Sequence, residues 1–315
     1  MNRKADAIII GAGVIGSAVA FELAKRGYKT LNIDKLPTSG YGSTSNSCAI
    51  VRAHYSTWDG VAMAYEGFHY WDDWADYLGV DDERGLIKYM KTGSIMFKLQ
   101  GEDHSKKCLS FFEEIGVEHE IWDLDKLKEK MPIYSHDQYD GTTRPDEDDN
   151  FFDKTGKKIE GAVYTPGSGY VSDPQLSSHN LQVATEAKGG EFLFNSEITE
   201  IRQENGKVLG VTLSTGEQID SPVVVNVAGP HSFVINRMAG VEEEMNIKTN
   251  ALRHEVHHVP SPDGFNFEEK GCHTSDGDNF IYFRPETGNT ILIGSEDPKC
   301  DPLEWVADPD DYNNQ

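Results

Sequence analysis

The sequence has little cysteine, no long apolar run and a shortage of positive charge. Its 315 residues contain four cysteines without CxxC spacing, which predicts a reduced, cytoplasmic protein. No apolar stretch approaches the ~20 residues that a membrane-spanning helix needs. Against 53 Asp and Glu there are 29 Lys and Arg, a formal charge of −24. Because that charge repels nucleic acids and anionic membrane surfaces, neither is an expected partner.

The length of 315 residues lies between one large domain and two ordinary ones, so we predict two lobes. The acidic surplus is spread widely, with local runs at 146–149 and 308–311, and is interpreted as a solvated surface. The chain enters a strand-like run at Ala5 with no cleavable leader before it, which agrees with the cytoplasmic prediction.

The stretch AIIIGAGVIGSAVAFELAKRGYKTLNID predicts a strand, a glycine-rich turn, a helix and a second strand that ends at Asp34. In such a unit Gly11 makes the tight turn, Gly13 lets the backbone approach a pyrophosphate, and Gly16 lets helix and strand pack closely. The helix N-terminus favours the phosphates, and Asp34 can accept hydrogen bonds from ribose hydroxyls. The sequence therefore predicts a dinucleotide site.

Two regions distinguish between NAD and FAD as the dinucleotide. A nicotinamide domain would continue with further βα units after Asp34, whereas 37–47 is a run of turn formers and hydroxyls. Residues 198–230 read as a β-meander with turns at Asn205-Gly206 and Thr215-Gly216. The meander is predicted to return into a buried strand, Val223–Val227, whose small-residue tip at Gly229 can approach a flat ring system.

In these segments the chain resembles the flavin-dependent amine and amino-acid oxidoreductases that include D-amino-acid oxidase, glycine oxidase, sarcosine oxidase and dimethylglycine dehydrogenase. Besides GAGVIG with Asp34, the resemblance is carried by GSTSNSCAIVRAHY, GAVYTPGSGYVSDPQLSSHNLQVATEAKGG, VVVNVAGPHS and FIYFRPETGNTILIG. It implies FAD and an α/β fold, α+β overall, in which a Rossmann-like FAD-binding lobe is interleaved with an antiparallel-sheet substrate lobe. The implied boundaries assign 1–80 and 160–235 to the FAD lobe, and 81–159 and 236–315 to the substrate lobe.

The resemblance also implies the site residues. In the sarcosine oxidase branch the arginine that matches Arg52 fixes the substrate carboxylate, and Tyr55 keeps the spacing of that segment. A guanidinium suits this role because its planar fork binds a carboxylate with two hydrogen bonds. The alternative is that Arg52 pairs with one of the many acidic side chains. The predicted cofactor-binding residues are Gly11, Gly13, Val14, Ile15, Gly16, Asp34, Lys35, Ser43, Thr44, Ser45, Ile198, Ala228 and Gly229.

For the hydroxyl residues Ser43, Thr44 and Ser45, the alternative to a cofactor contact is ordinary loop capping. Tyr282 matches a tyrosine that lines the substrate pocket of relatives. Arg284 has no equivalent in sarcosine oxidase and is interpreted as a second anion contact or a surface ion pair.

Two departures from the sarcosine oxidase pattern change the expected chemistry. Asn46 and Ser47 stand where some relatives attach the flavin to a histidine, so a non-covalent FAD is expected. Leu292 stands where relatives place a lysine that activates oxygen. Because a cation there stabilises developing superoxide, an aliphatic residue favours a dehydrogenase over an oxidase.

Two other functions are compatible with parts of the sequence: a zinc peptidase and a flavoprotein subunit without activity. The stretch His254-Glu-Val-His-His258 satisfies the HExxH expression of zinc peptidases, which requires a helix. Here LRHEVHHVP reads as a strand, on which the two histidines would lie ~13 Å apart at about 3.3 Å per residue. No metal site is therefore expected. A catalytically silent flavoprotein subunit of a larger complex remains as a further alternative.

The sequence thus predicts an FAD-dependent oxidoreductase that oxidises the C–N bond of a small amine carrying a carboxylate, such as an N-methyl or D-amino acid, to an imine. The substrate, the electron acceptor and the oligomeric state are left open, and an oligomer is compatible with the sequence. Relatives end in a strand and helix that cover the flavin, whereas this sequence ends in EWVADPDDYNNQ. We therefore expect the C-terminal part of the FAD lobe to be missing from these residues.

Overall fold

The computed structural model describes residues 3–139, 143–144, 146–298 and 300–311. The helices formed by these residues are α1 (Val14–Lys25), α2 (Trp58–Asp72), α3 (Trp74–Leu78), α4 (His104–Ile115), α5 (Leu124–Lys130), α6 (Pro174–Glu186), α7 (Ser232–Met238) and α8 (Phe267–Lys270), with 3₁₀ turns at Gly229–His231 and Glu242–Glu244.

The strands formed by the same residues are β1 (Arg3–Lys4), β2 (Ala7–Ile10), β3 (Thr30–Ile33), β4 (Ile50–Val51), β5 (Tyr89–Met90), β6 (Ser94–Leu99), β7 (Glu120–Asp123), β8 (Ile159–Thr165), β9 (Gly169–Val171), β10 (Glu191–Leu193), β11 (Ile198–Glu204), β12 (Lys207–Leu213), β13 (Gln218–Asp220), β14 (Val224–Asn226), β15 (Ala251–Leu252), β16 (Val256–Pro260), β17 (His273–Asp276), β18 (Ile281–Glu286), β19 (Thr290–Ser295) and β20 (Trp305–Val306).

A four-stranded parallel sheet in the order β10-β3-β2-β14 carries the glycine-rich turn. All four residues of β2 are buried, and because strand side chains alternate between faces, both faces of this strand are covered. Ile9 packs towards Ala20 of α1, whereas Ile8 and Ile10 pack against the meander. The predicted strand, turn, helix and strand are confirmed.

The predicted meander is also confirmed and forms a separate sheet, β1-β13-β12-β11. Asn205 and Gly206 both have positive φ, 51° and 72°, as a two-residue hairpin turn with right-handed strand twist requires. The prediction of a buried strand at Val223–Val227 is wrong in its extent and its burial. The observed β14 is shorter and only half-buried, because it forms the edge of the parallel sheet, and Val223 is 47% exposed.

A seven-stranded sheet in the order β16-β19-β18-β17-β6-β8-β7 forms the second major layer. All neighbours in it are antiparallel except β17 and β6, which pair in parallel with His273 opposite Ser94. One face packs on a core that includes Ile95, Phe97 and Phe267. The other face packs through Met96 and Val163 against side chains of α2 and α4. The lobe boundaries after residues 80, 159 and 235 stay predictions.

The HEVHH stretch lies at and before β16, so the predicted strand is confirmed for Val256–Pro260. Its histidines have separate partners, since His254 pairs with Asp297 at 3.5 Å and His258 Nε2 lies 2.6 Å from Thr290 Oγ1. In the part of the chain that the structure describes, no helix combines the length and the apolar character that crossing a membrane requires.

Two buried histidines join the seven-stranded sheet to the segment that follows β4. His54 and His273 stack with ring centroids 5.6 Å apart. The ring of His54 contacts Ser275 Oγ at 3.0 Å and that of His273 contacts Ser94 Oγ at 2.7 Å, while His273 Nε2 has no partner. Burial, reinforced by the Arg52 charge, lowers the pKa of His273 to about 3 and holds the pKa of His54 well below its usual value. Both rings are therefore neutral in the folded protein.

Because the folded pKa values of these histidines lie below the unfolded ones, the unfolded chain binds more protons as the pH falls below about 6.5. The free energy of unfolding should therefore decrease towards pH 5, by up to ~1.4 kcal/mol per pH unit for each histidine. His273→Asn places an amide near Nδ1 and removes one titrating ring. The slope of its unfolding free energy against pH should therefore be smaller by the contribution of about one proton. Denaturant unfolding at several pH values measures the slope. His257→Asn, at an exposed strand position, controls for the loss of a histidine, and equal slopes for wild type and His273→Asn would show that His273 is not kept neutral.

Candidate functional site

A cleft of about 720 Å³ lies where the carboxyl ends of β2 and β3 meet the start of α1, one side of α2 and α7, and the segment 42–55. Ligands of parallel α/β sheets bind at this end of the strands. The structure brings most of the predicted site residues together in its lining: Gly11, Gly13, Val14, Ile15, Asp34, Lys35, Ser43, Thr44, Arg52, Tyr55, Ile198, Ala228 and Gly229.

The three glycines of the turn differ in what an added side chain would meet. Gly11 has φ +107°, and a Cβ there would lie 2.5 Å from the carbonyl oxygen of Val227. A Cβ on Gly16 would overlap the carbonyl oxygen of Gly11, which places Gly16 behind the turn rather than in the cleft lining. Gly13 has extended backbone, and its Cβ would lie 3.0 Å from Thr44 Oγ1. Gly11 and Gly16 are thus required by the fold, whereas Gly13 keeps the cleft open.

The N-terminus of α1 opens into the cleft without a side-chain cap from Gly13. Thr44 Oγ1 accepts a hydrogen bond from the Val14 N–H at 3.1 Å, which fixes the hydroxyl loop against the first turn. Helix N-termini present free N–H groups and a partial positive charge, and both favour a phosphate. The bare glycine surface beside this terminus fits the pyrophosphate of a dinucleotide.

Asp34 follows the last residue of β3, and two backbone N–H groups bind its carboxylate. Its carboxylate accepts hydrogen bonds from the N–H of Ala12 at 2.7 Å and of Leu36 at 2.9 Å. A carboxylate has about four lone-pair positions, so acceptor capacity remains for ribose hydroxyls on the cleft side.

Lys35 lies beside Asp34, and its charge is already compensated. Its Nζ is 2.5 Å from both carboxylate oxygens of Asp310 and 3.1 Å from His231 Nε2. His231 and Asp310 also line the cleft, and the sequence analysis missed both. Asp310 belongs to an acidic run that looked like solvated surface, so no sequence signal pointed to it.

Arg52 follows β4 and reaches the cleft together with Tyr55. Its Nη1 donates to the carbonyl oxygen of His54, and its guanidinium lies over the Tyr55 ring, 4.5 Å from the centroid. Among the described residues, no carboxylate lies within ion-pair distance of Arg52. The geometry therefore disfavours the alternative in which Arg52 pairs with an acidic side chain.

Besides Gly16, three predicted residues lie outside the cleft lining: Ser45, Tyr282 and Arg284. Ser45 Oγ donates to the carbonyl oxygens of Tyr41 and Gly42, at 3.1 and 2.9 Å, so its hydroxyl caps its own loop. The interpretation of Arg284 as a surface ion pair is wrong, since the residue is 2% exposed. Its Nε donates to the Cys48 carbonyl at 2.5 Å, and its Nη2 pairs with Glu286 at 2.9 Å. The guanidinium of Arg284 thus has its hydrogen-bonding partners within the protein.

Tyr282 lies on β18, on the face of the seven-stranded sheet that meets the Arg52 segment. Burial, strengthened by its contact with the Cys48 thiol, raises the pKa of Tyr282 to about 12, although the nearby Arg52 charge opposes the shift. Ser275 is its register partner on β17, and Gly294 its partner on β19. This face also carries Glu296, which the sequence analysis missed because its place depends on strand register.

Comparisons with known proteins agree with this geometry. A family model described as FAD dependent oxidoreductase (DAO) matches residues 6–314. Glycine oxidase from Geobacillus kaustophilus (strain HTA426) is 26% identical over 310 residues, which cover 94% of this chain and 71% of that protein. The mitochondrial pyruvate dehydrogenase phosphatase regulatory subunit of Mus musculus is 24% identical over 302 residues, 94% of this chain but 30% of that protein.

Among solved structures, L-proline dehydrogenase from P. horikoshii matches with a TM-score of 0.75 at 20% identity, covering 96% of this chain and 73% of that one. A likeness at that identity shows the fold, and it confirms the predicted mixed α/β class with a Rossmann-like FAD lobe. The resemblance stated from the motifs is confirmed by the family match. The chain therefore belongs to the DAO family of FAD-dependent oxidoreductases.

Proposed function

We propose that this chain oxidises the C–N bond of a small amine that carries a carboxylate, such as an N-methyl or D-amino acid, to an imine that water hydrolyses. The observation that carries the proposal is Arg52, whose guanidinium lines the same cleft as the dinucleotide cradle and has no carboxylate partner among the described residues. Its free N–H groups are the donors that a substrate carboxylate requires.

FAD and the residues of the cleft would have separate roles in this reaction. FAD, when bound, supplies the redox chemistry by accepting a hydride equivalent from the carbon beside the nitrogen. The α1 N-terminus and Gly13 would hold its pyrophosphate, and Asp34 its ribose. Arg52 would bind the substrate carboxylate, and its hydrogen bond to the His54 carbonyl together with the Tyr55 ring fixes the plane of the guanidinium. A clamp fixed in this way loses little side-chain entropy when the substrate binds.

We further propose that FAD is bound non-covalently, since Asn46 and Ser47 stand in the loop where some relatives carry the histidine that attaches it. Leu292 supports a dehydrogenase that passes its electrons to an acceptor other than oxygen. It lies on β19 opposite Arg284, and the charge of that arginine is compensated by Glu286.

A catalytically silent flavoprotein subunit is the second candidate. It is favoured by the match to a protein named as a regulatory subunit, which covers 94% of this chain. Turnover separates the two candidates, because a silent subunit would hold FAD without reducing it in the presence of any small amine.

Gly13→Val should abolish FAD retention and leave the chain folded, because its backbone is extended and the added carbons would fill the space beside Thr44 and the helix terminus. The measurement is flavin absorbance per protein after purification, with circular dichroism as the test of folding. Gly277→Val, at a glycine whose Cβ would meet little besides Leu99 at 3.8 Å, is the matched control. A yellow Gly13→Val protein with wild-type flavin content would contradict the assignment.

Arg52→Ala should lower kcat/KM about tenfold to a hundredfold, since a hydrogen bond to a charged group contributes roughly 1.5–3 kcal/mol. The substrate for this test comes from an anaerobic screen of flavin bleaching with amino and N-methylamino acids. Arg52→Lys should recover part of the loss, because an ammonium keeps the charge without the fork. The thermal midpoint should change little, because Arg52 has no ion-pair partner among the described residues.

An amide or ester analogue of the best substrate is the control for the Arg52 prediction. If Arg52→Ala impairs turnover of this neutral analogue as strongly as that of the acid, Arg52 does not bind the carboxylate. If wild-type flavin stays oxidised with the whole panel, the silent-subunit candidate replaces the proposed reaction.

Leu292 should leave the reduced flavin slow to react with oxygen, and Leu292→Lys should accelerate the reaction by placing a cation on this face of the sheet. Stopped-flow reoxidation in air-saturated buffer measures both rates. Leu292→Met, of similar volume and without charge, should behave like wild type. Reoxidation of the wild type as fast as that of an efficient oxidase would contradict the dehydrogenase proposal.

A further inference from the structure

The sheet face that carries Tyr282 presents a polar row towards the Arg52 segment. Ser275, Tyr282 and Gly294 are register partners on three neighbouring strands, β17, β18 and β19. The absence of a side chain at Gly294 makes room for the tyrosine ring, which a Cβ there would overlap. Glu296 stands two residues beyond Gly294, so the alternation of a strand places it on the same face.

One backbone hydrogen bond extends the pairing of β18 and β19 past the end of β19 at Ser295. The N–H of Glu296 donates to the Phe280 carbonyl at 2.7 Å, and its Oε1 accepts from Ser275 Oγ at 3.4 Å. Ser275 Oγ also contacts the ring of His54, and the carbonyl oxygen of His54 accepts from Arg52. Arg52 and Glu296 therefore approach His54 from two sides, one at its backbone and the other through Ser275.

The two opposite charges lie within electrostatic reach of each other without forming a pair. Burial raises the pKa of Glu296, and the Arg52 guanidinium opposes that shift. No lysine, arginine or histidine nitrogen of the described residues lies within ion-pair distance of Glu296. Although neighbouring groups partly shield its carboxylate, Glu296 as a whole residue is exposed, and the 3.4 Å contact to Ser275 contributes little to folding. A charge with so weak a structural role is available to a ligand.

We propose that Glu296 binds the substrate ammonium while Arg52 binds the substrate carboxylate, and that Glu296 then takes a proton from this ammonium. In that step an N–H bond of the ammonium breaks and an O–H bond forms on Glu296, which leaves the neutral amine that can release hydride. The inference rests on the proposed function and names its substrate class: a zwitterion whose two charges match the pair of Glu296 and Arg52.

Ligand pairs that differ in the nitrogen alone test this proposal. Sarcosine is compared with methoxyacetate, and L-proline with tetrahydrofuran-2-carboxylate, in which oxygen replaces the amine and its charge. Binding is measured by calorimetry on the FAD-loaded protein after anaerobic reduction with dithionite, so that no hydride can be transferred. Glu296→Gln should weaken the amines about tenfold to a hundredfold, the range of charged hydrogen bonds, and leave the ethers within about twofold.

Three variants complete the design. Arg52→Ala should weaken the amine and the ether of each pair alike, because both carry the carboxylate. Asp297→Asn removes a negative charge at the next residue, which pairs with His254 instead, and it should leave the preference for amines unchanged. Glu296→Asp should keep part of that preference, which shows that the charge rather than the local structure is responsible.

The outcomes separate this inference from the function on which it rests. Equal loss of amines and ethers in Glu296→Gln, or no loss of either, would overturn the role of Glu296 even if Arg52→Ala weakens every ligand. If Arg52→Ala weakens none of the four ligands, the carboxylate clamp fails and the proposed function fails with it. If Asp297→Asn loses as much of the preference for amines as Glu296→Gln does, the preference comes from the negative charge of the whole region. That result would refute a specific contact between Glu296 and the ammonium.

Discussion

The buried guanidinium of Arg284 fixes the geometry on which the rest of the site depends. It lies on the seven-stranded sheet, yet it donates to the carbonyl of Cys48, just before the strand that leads to Arg52. It also stacks on Tyr170, 4.1 Å from the ring centroid, and Tyr170 pairs with Ile50 in a separate three-stranded sheet, β4-β9-β5. Glu286, two residues further along the same strand, compensates the charge of the buried guanidinium. The contacts of Arg284 with Cys48 and Tyr170 are the ones that connect the two sheets. The position of Arg52 against the sheet face follows from that connection.

The parts of the molecule that the sequence predicted well are those governed by local rules. The turn needs positive φ at Gly11 and close packing at Gly16, and these requirements leave a recognisable spacing in the sequence. The meander is similar, because Asn205-Gly206 has the backbone conformation that a tight hairpin demands. Asp34 follows in the same way from its place at the end of a strand in a βαβ unit. Each of these features is specified by a short contiguous stretch of sequence.

The parts that the sequence left undetermined depend on contacts between distant segments. The place of Glu296 beside the Arg52 segment depends on the pairing of β18 with both β17 and β19, and on a parallel contact of β17 with β6, about 180 residues earlier. For Arg284 the sequence left open a second anion contact or a surface ion pair, and its burial becomes visible only through its contacts with the Cys48 carbonyl and Glu286. Val223 was predicted to be buried from its apolar neighbours, but an edge strand leaves it half exposed. Periodicity cannot reveal which strand will stand at an edge.

The N-terminus of α1 has a consequence for how the protein would capture a negatively charged cofactor, since Thr44 binds its first N–H and no acidic residue stands in its first turn. FAD carries its negative charge on the pyrophosphate, and it meets a chain with a formal charge of −24. The cationic lysine and arginine side chains in the described cleft lining are Lys35, which Asp310 compensates, and Arg52, which we propose binds the substrate. In the proposed arrangement the phosphates would therefore be held by neutral backbone dipoles at short range, against a repulsive long-range field. Since dissolved salt screens distant charges far more than direct contacts, added salt should speed cofactor capture while changing its release rate little, the reverse of binding through a basic patch.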